Sequence, residues 1–438
     1  MIILIIYAVF LFGIGFWDFR KKDGLEGFLV ANRSANATKI GFSIMASCIG
    51  ASATIGLVAN VAKFGFPAIW WLLAGAFGLS ILAFIFAKKL RKTGALTLPQ
   101  ICEVYISKEA RKISAVIITI AWFAILAAQF IATGKILAAF DVNNGVIIGA
   151  IVIVIYTMLG GQKSVIKSDV YQYLIVIISL IAVLIWMLMQ PVNLFSNLKI
   201  EFVNDKFGYD LIFYYLLIQG LVYIIDPALF SRIFSAKDEN TAFKGAIFGV
   251  AGMVFSAFLI VIIAFGTISL NDSKSGELLT TTLFNALPPV LGILLLLGLL
   301  SAIISSADTC LITASSIFCY DVLKSENIKI HRVFVLIFGA ISYVLTIFGE
   351  EFGILDYLFA ANDIFATGVV TALFFAIIFN GKTDKNIMLL AMVCGGVCGL
   401  TAAISGDKIY SFIGVFTASF FSILAFLRVK FGQRKIYI

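Results

Sequence analysis

Two stretches of this chain place oxygen-bearing groups where hydrocarbon-like sequence surrounds them. Residues 298–309 read Gly-Leu-Leu-Ser-Ala-Ile-Ile-Ser-Ser-Ala-Asp-Thr, inside an apolar run from Leu287 to Val322. Ala302, Ser305 and Ser306 stand at i, i+3 and i+4, so a helix puts them on one face. A polar face inside hydrocarbon is costly unless a polar partner or an ion meets it. The second stretch is Gly50-Ala-Ser-Ala-Thr-Ile-Gly56, also in mid-run. Two glycines and small hydroxyl residues there predict an unwound turn with freed carbonyls, or equally a small-residue face for a close helix neighbour. Carbonyls from one segment and hydroxyls from the other would make an all-oxygen cage suited to a small hard cation such as sodium. Lacking a carboxylate, such a cage binds weakly enough to release its ion.

Other polar groups surround this pair in the sequence. Asp169, in Ser168-Asp169-Val-Tyr-Gln172, reads as a second cation ligand, or as an interfacial acid paired with Lys167 or Lys163. Asp308, with its neighbour Thr309, would join Asp169 around one ion or pair with a basic loop residue. Gln219, Tyr223 and Asp226 follow at spacings of four and three, ending at Pro227. That strip reads as the wall of a solute cavity or as an interhelical hydrogen-bond network. Gln129, with Thr133, faces the same cavity from another helix, and Ser52 and Gly56 complete the substrate candidates. Asp356, Asn362 and Asp363 belong near an outer vestibule.

The elements that position these groups follow from composition. The 438 residues are 61% hydrophobic and 13% charged. Apolar runs long enough to cross ~30 Å of hydrocarbon at ~1.5 Å per residue recur from end to end. The fold class is therefore all-α, a polytopic membrane protein embedded in a lipid bilayer. Thirteen spans are expected: 2–18, 38–62, 67–87, 112–138, 145–160, 168–190, 209–231, 245–270, 287–322, 333–349, 354–379, 386–405 and 409–427. The first has no basic residue before it and Arg20, Lys21 and Lys22 after it, the pattern of an uncleaved helix with its N-terminus outside. Alternating sides from there puts 26 of the 32 basic residues on the cytoplasmic side, which predicts a cytoplasmic C-terminus and a place in the cell (inner) membrane. The net charge of +8 is thus a topology signal, and no nucleic acid is implied. The six cysteines read as small buried hydrophobes, and the single histidine, His331, leaves no basis for a His-based metal site. The loop 88–111 is expected to carry a short interfacial helix.

Two five-span blocks, 38–190 and 209–379, can be drawn; an odd number of passages makes the second inverted relative to the first. An extra helix and loop (1–37) precede them, and two helices with a basic tail (380–438) follow. Inverted repeats with sites at interrupted midplane helices are the usual plan of secondary transporters.

In this order the segments resemble the sodium:solute symporter family, which includes sodium/proline, sodium/sialic acid and sodium/galactose symporters. The resemblance is carried by Gly27-Phe-Leu-Val-Ala-Asn-Arg-Ser34, Ala127-Ala-Gln-Phe-Ile-Ala-Thr-Gly134, Tyr156-Thr-Met-Leu-Gly-Gly161, Ser168–Gln172, Pro227–Asp238 and Ala302–Lys324. It implies a leucine-transporter-type fold of ten core helices, with one extra helix before and two after. It implies a primary sodium site from the carbonyls of Ala51, Thr54 and Ala302 and the hydroxyls of Ser305 and Ser306. Asp169 falls on the family's inner acid, which in some members helps bind a second sodium. The partners of that second site fall on Ser305, Asp308 and Thr309, with Asp308 replacing a serine. Ala53 falls on the proline symporter's acid, and Gln219 replaces its aromatic residue, so proline is not the expected solute. No arginine among residues 113–134 matches the sialic acid symporter's cavity arginine.

The expectation is a sodium-driven symporter that imports a small organic solute (an amino acid, sugar or carboxylate) by alternating access. The alternatives are a proton-coupled carrier of the same fold, with Asp169 or Asp308 titrating, and a sensory or channel-like membrane protein. Only eleven residues follow the last span, which offers no output domain. No nucleotide loop, nucleophile–base pair or metal cluster supports an enzyme.

Overall fold

The structure, a computed structural model, describes residues 2–21, 24–270, 283–348 and 353–432. Lys22, nearly all of the expected connector 271–283, and Arg434 and Lys435 of the basic tail lie outside these residues. Among these described residues, eleven helices are long and apolar enough to cross a membrane. They are α1 (Ile2–Arg20), α4 (Phe66–Lys92), α5 (Lys108–Ala138), α6 (Gly145–Leu188), α7 (Tyr209–Ser235), α8 (Glu239–Leu270), α9 (Pro289–Val322), α10 (Ile328–Ile347), α11 (Ile354–Ile378), α12 (Lys385–Ser405) and α13 (Ile409–Phe431). A further pair, α2 (Ala37–Cys48) and α3 (Ser52–Phe64), crosses as one broken unit bent by 59°.

Three backbone breaks decide the architecture. The first follows Cys48, where Ile49 leaves the helix at φ −104°, ψ 68°. The second divides α7: Ile225 sits at φ −133°, ψ 74°, and Asp226 at φ −109°, ψ 127°. Pro227 explains it. Proline drives the residue before it into extended backbone and supplies no N–H, which a helix tolerates only in its first turn. Asp226 then restarts the helix, its carboxylate accepting the Leu229 N–H at 2.8 Å. The third break lies in α6. Its 44 residues would reach about 66 Å as one rod, more than twice the hydrocarbon thickness. Gly161 interrupts it at φ 61°, ψ −166°, a region open essentially to glycine alone.

Burial sorts the helices. In their most apolar windows α9 is 72% buried and α11 78%, against 22% for α1 and 28% for α13. The first two therefore form the centre and the last two face lipid. Long-range bonds sort the loops. At one end Arg33 donates to the Gly94 carbonyl at 2.6 Å, Arg91 to Ala236 at 2.6 Å and Lys89 to Asn380 at 2.7 Å. At the other end Asn204 donates to Phe64 at 2.8 Å and the Trp70 indole to Phe202 at 3.0 Å. The first end is the one where the sequence concentrates its lysines and arginines. There Ala35 pairs in parallel with Ala236: its N–H reaches the Ser235 carbonyl and its carbonyl takes the Lys237 N–H, both at 3.1 Å. The expected short helix of the 88–111 loop spans Leu98–Tyr105. It is tucked in rather than purely interfacial, with Leu98, Ile101 and Cys102 buried. Arg111 fixes it by bridging Glu103 at 2.7 Å and Asp321 at 2.6 Å.

Candidate functional site

The breaks at Ile49 and Ile225 flank a cavity of about 100 Å³ that their neighbours Gly50 and Asp226 line. Its walls come from α2, α3, α4, α5, α7, α9 and α11, and include Ser47, Gly50, Ser52, Gln129, Gln219 and Ser306. Tyr223, Asp226, Thr309 and Asn362 also line it. Gln219 and Asn362 are joined, the Asn362 amide donating to the Gln219 carbonyl oxygen at 2.6 Å. Gln129 accepts the Ala51 N–H at 3.1 Å, which holds the first turn after the break against α5. Asn362 thus belongs to the cavity, whereas its sequence neighbours Asp356 and Asp363 line a separate hollow with Lys408.

The serine pair meets the broken helix one turn earlier than the sequence predicted. Ser305 donates to the Ala46 carbonyl at 2.8 Å and Ser306 to the Ser47 carbonyl at 3.0 Å. The reason is where the helix breaks. The unwound part is confined to Ile49 and Gly50; from Ala51 the stretch re-forms helix, through a wide turn at Ser52–Gly56. Thr54 therefore spends its carbonyl on the Leu57 N–H and its hydroxyl on the Gly50 carbonyl at 2.9 Å. Ala51 is fully buried behind Gln129. Gly56 packs against Leu355 and Ala53 is buried outside the cavity lining, while Cys48 lies in it. The structure thus brings Ala46 and Ser47, rather than Ala51 and Thr54, against the serine pair, and Gly56 is not among the residues lining the cavity.

This arrangement suits a bare cation. Ala46, Ser47, Ser305 and Ser306 bring four oxygens together, and the non-helical ψ of Ile49 turns its carbonyl out of the helical ladder. Gly50 makes the approach feasible: a Cβ there would collide with the Ser306 hydroxyl and stand 2.9 Å from its Cβ. The donor set is all oxygen and uncharged, the type that hard cations accept. Ala302, buried on the same face of α9, supplies a further carbonyl position.

Asp169 has a different partner from either one expected. Lys167 pairs with Asp18 at 2.5 Å. Asp169 pairs with Arg232 at 3.1 Å, both side chains fully buried. Ser43 donates to Asp169, and Arg232 donates to Ser43 at 3.0 Å and to Thr309. A guanidinium thus occupies the centre of the group read as a second cation site. Asp308 is fully buried without a basic loop partner; it accepts from Thr309 at 3.4 Å and lies within electrostatic range of Asp169 and Arg232. Since α7 runs from Pro227 to the basic end, this ion pair forms a layer between the cavity and that end.

Aromatic rings close the opposite side. Trp71 lines the cavity and packs edge-on against Phe359 at 5.2 Å and Tyr215 at 5.7 Å. Beyond them Lys408 sits 4.8 Å over the Tyr214 ring. Burial there pushes its ammonium below its ordinary pKa, with Asp363 pulling the other way.

Several groups in and around the cavity are not marked out by the sequence. Arg232 lies beside the cavity rather than in its lining, in an apolar run where an arginine almost always has a buried partner. Trp122 was passed over because residues 113–134 read as uniformly apolar. It lines the cavity, and its buried indole N–H has no hydrogen-bond partner. Cys48 and Cys310 line the same space.

Comparison with known proteins adds three findings. The model of the family described as "Sodium:solute symporter family" matches residues 28–395. The chain is 26% identical to the sodium/pantothenate symporter of Haemophilus influenzae, over 99% of this chain and 96% of that one. It is 25% identical to sodium/proline symporter 2 of Staphylococcus saprophyticus, over 78% and 73% of the two chains. Among solved structures, a Na+-coupled sialic acid symporter in a substrate-bound outward-open state superposes with a TM-score of 0.82 at 14% identity, covering 98% of this chain and 96% of that one.

Proposed function

This chain belongs to the sodium:solute symporter family, and from that premise we propose how its own residues carry out sodium-coupled symport. It is a multi-pass membrane transporter, not an enzyme, with Na+ as the coupling ion and a small organic solute as cargo. We infer that sodium binds where the Ala46 and Ser47 carbonyls meet the Ser305 and Ser306 hydroxyls, with the carbonyls of Ile49 and Ala302 as further ligands. The observation that carries this reading is the pair of bonds from the two serines to Ala46 and Ser47. A serine hydroxyl that turns its hydrogen away leaves a lone pair for an ion in the same place. Sodium there clamps α2 to α9 and sets the turn that Gln129 holds, so sodium and solute favour the same state of the cavity.

The solute contacts are Ser52, Gln129, Gln219, Tyr223, Asp226 and Asn362, with Trp122 added for its unmatched donor. No lysine, arginine or histidine is among the lining residues, so an acceptor on the solute is met by amide and indole N–H groups. A carboxylate, amide or hydroxyl oxygen fits that description. The ion pair Asp169–Arg232 and the ring layer around Trp71 act as the two gates. The solute's release toward the basic end requires the ion pair to part. We assign that end to the cytoplasm, which gives thirteen passages when Gly161 divides α6, an outside N-terminus and a cytoplasmic C-terminus. On this reading α2–α6 and α7–α11 form the two inverted blocks, each opening with a helix broken at mid-depth. A membrane potential of 100 mV then adds ~2.3 kcal/mol per sodium moved inward.

The test is a thermal-unfolding screen of amino acids, carboxylates and sugars, with and without sodium, followed by uptake of each hit into proteoliposomes. A hit whose stabilisation and uptake need sodium, and fail with potassium, is expected. Ser305→Ala and Ser306→Ala should raise the sodium concentration for half-maximal uptake tenfold or more, with solute affinity at saturating sodium little changed. Equal uptake in sodium and potassium would overturn the assignment.

A further inference from the structure

A hollow of about 860 Å³, larger than the central cavity, is a groove on the flank of the molecule. It lies between α1, the start of α2 and the second half of α6. α1 and α2 both lean on α6 and leave a lateral cleft between them. The walls are largely apolar: Phe10, Ile14 and Trp17 from α1, Phe42 from α2, and Val170 and Tyr171 from α6. Trp17 is 66% exposed and Tyr171 52%, so the cleft opens sideways, toward lipid. Gly13 lines it too, and a Cβ built there meets nothing within 4 Å.

One end of the groove is charged. Lys39 is exposed on its rim, and its ammonium has no hydrogen bond or ion pair among the described residues. Lys21 sits 5.7 Å over the Trp17 ring. Lys167 faces the groove while bonded to Asp18, the one acid among these groups. Three cations against one anion leave a surplus positive charge. The first N–H groups of α2, at Ala37 and Thr38, have no intrahelical partner, as at any helix start, and they lie at the same end. A tryptophan beside lysines marks the headgroup level of a bilayer.

We propose that this groove is a binding site for one anionic glycerophospholipid. Its acyl chains lie along Phe10, Gly13, Ile14 and Phe42, and its phosphate and headgroup meet Lys39, Lys21 and the start of α2. In a bilayer an apolar cleft open to hydrocarbon fills with acyl chain, because water gains no partners there. The surplus charge selects an anionic headgroup over a zwitterionic one, by about fivefold per lysine near the surface. The site bears on transport because α2 carries Ala46 and Ser47, so the lipid flanks the half-helix that meets the serine pair. The lipid site itself stands on the groove and its charges. Only its assignment to the cytoplasmic leaflet rests on the orientation proposed above.

Native mass spectrometry of the full chain in detergent tests it without any transport assay. Delipidated protein is offered phosphatidylglycerol and phosphatidylcholine of identical acyl chains in equal amounts. Phosphatidylglycerol should be retained at least fivefold over phosphatidylcholine, one lipid per chain. Lys39→Ala should bring the two lipids toward parity. Gly13→Leu, placed where a Cβ meets nothing within 4 Å, should fill part of the groove and lower retention of both. Equal retention by the unaltered chain refutes the charge selection, as does a preference that survives Lys39→Ala. A preference lost in Lys39→Ala, with total lipid retention unchanged by Gly13→Leu, would place the lipid elsewhere and refute the groove. A sodium-dependent uptake assay that failed while these retentions held would count against the transport reading alone.

Discussion

Gly50→Ala tests the sodium site most sharply, because the structure fixes its size. The added methyl would stand 2.9 Å from the Ser306 Cβ and 3.2 Å from the Gln129 amide oxygen, and would collide with the Ser306 hydroxyl. Carbon atoms rest about 3.5–4.0 Å apart, so α9 must recede from the break by roughly 0.6–1 Å. Overpacking of this kind costs about 1–3 kcal/mol. The strain falls on the closed arrangement that brings Ala46 and Ser47 to Ser305 and Ser306, so it is charged against sodium binding: at ~1.4 kcal/mol per factor of ten, about five- to 150-fold in sodium affinity. Thermal unfolding in a sodium series, with choline holding ionic strength constant, measures it without knowing the solute. Sodium at 100 times its dissociation constant stabilises by about 2.7 kcal/mol, and a site ten times weaker would keep only about 1.4 kcal/mol at that concentration. The unaltered chain should gain roughly twice the sodium-dependent stabilisation of the variant. Adding Ser306→Gly to Gly50→Ala restores room but not the hydroxyl, so the double variant should recover stability in choline and stay weak for sodium. A Gly50→Ala protein that titrates with sodium as the unaltered chain does would refute the reasoning.

Other consequences are open to measurement. Arg232→Met strands Asp169 as a buried, unpaired charge and should destabilise by about 3–5 kcal/mol, while Asp169→Asn on the same chain should recover part of that loss; additive single effects would show that the two side chains do not act as a pair. Trp122→Phe keeps the ring and removes the N–H, so it should weaken solute binding by about tenfold or less, in line with one hydrogen bond of ~0.5–1.5 kcal/mol, and leave the sodium titration in place; an unchanged solute affinity would remove that donor from the site. Cys48 and Cys310 line the cavity and Cys102 and Cys319 are packed away from it. With Cys394 and Cys398 replaced by alanine, a small maleimide should modify the first pair, and sodium with solute should slow that reaction. Modification of Cys102 or Cys319 at equal rates would contradict the placement of the cavity.

The fold was largely legible because its signals are long and cooperative. Twenty-residue apolar runs and the sorting of lysines and arginines outweigh any local ambiguity, and Pro227 marks its break by steric rules that act on one residue. Gln129, Gln219, Tyr223 and Asp226 stood out as polar groups that hydrocarbon cannot hold alone, and the structure brings all four to one cavity. The first broken helix was harder to read. Glycines at both ends of 50–56 look alike in sequence, but only Gly50 must clear a neighbouring hydroxyl, and that neighbour is more than two hundred residues away. Gly56 merely seats a leucine. Periodicity along one helix carries no information about which turn of it a distant serine will meet. The same limit hid Arg232: its partner Asp169 lies on another helix, and the nearer lysine at 167 offered an easier but mistaken match. Trp122 reads as hydrophobic until its single polar atom is found without a partner.

The two strands of backbone joined at Ala35 and Ala236 have a bearing on how the basic side can open. The segment leading into one half-helix is stitched to the segment leaving the other by a pair of main-chain bonds, which only a proline at a donor position would remove. Either half swinging away by itself would have to tear both. On the transport cycle proposed above, the two are therefore expected to swing together, so that one hinge serves the ion and the solute alike.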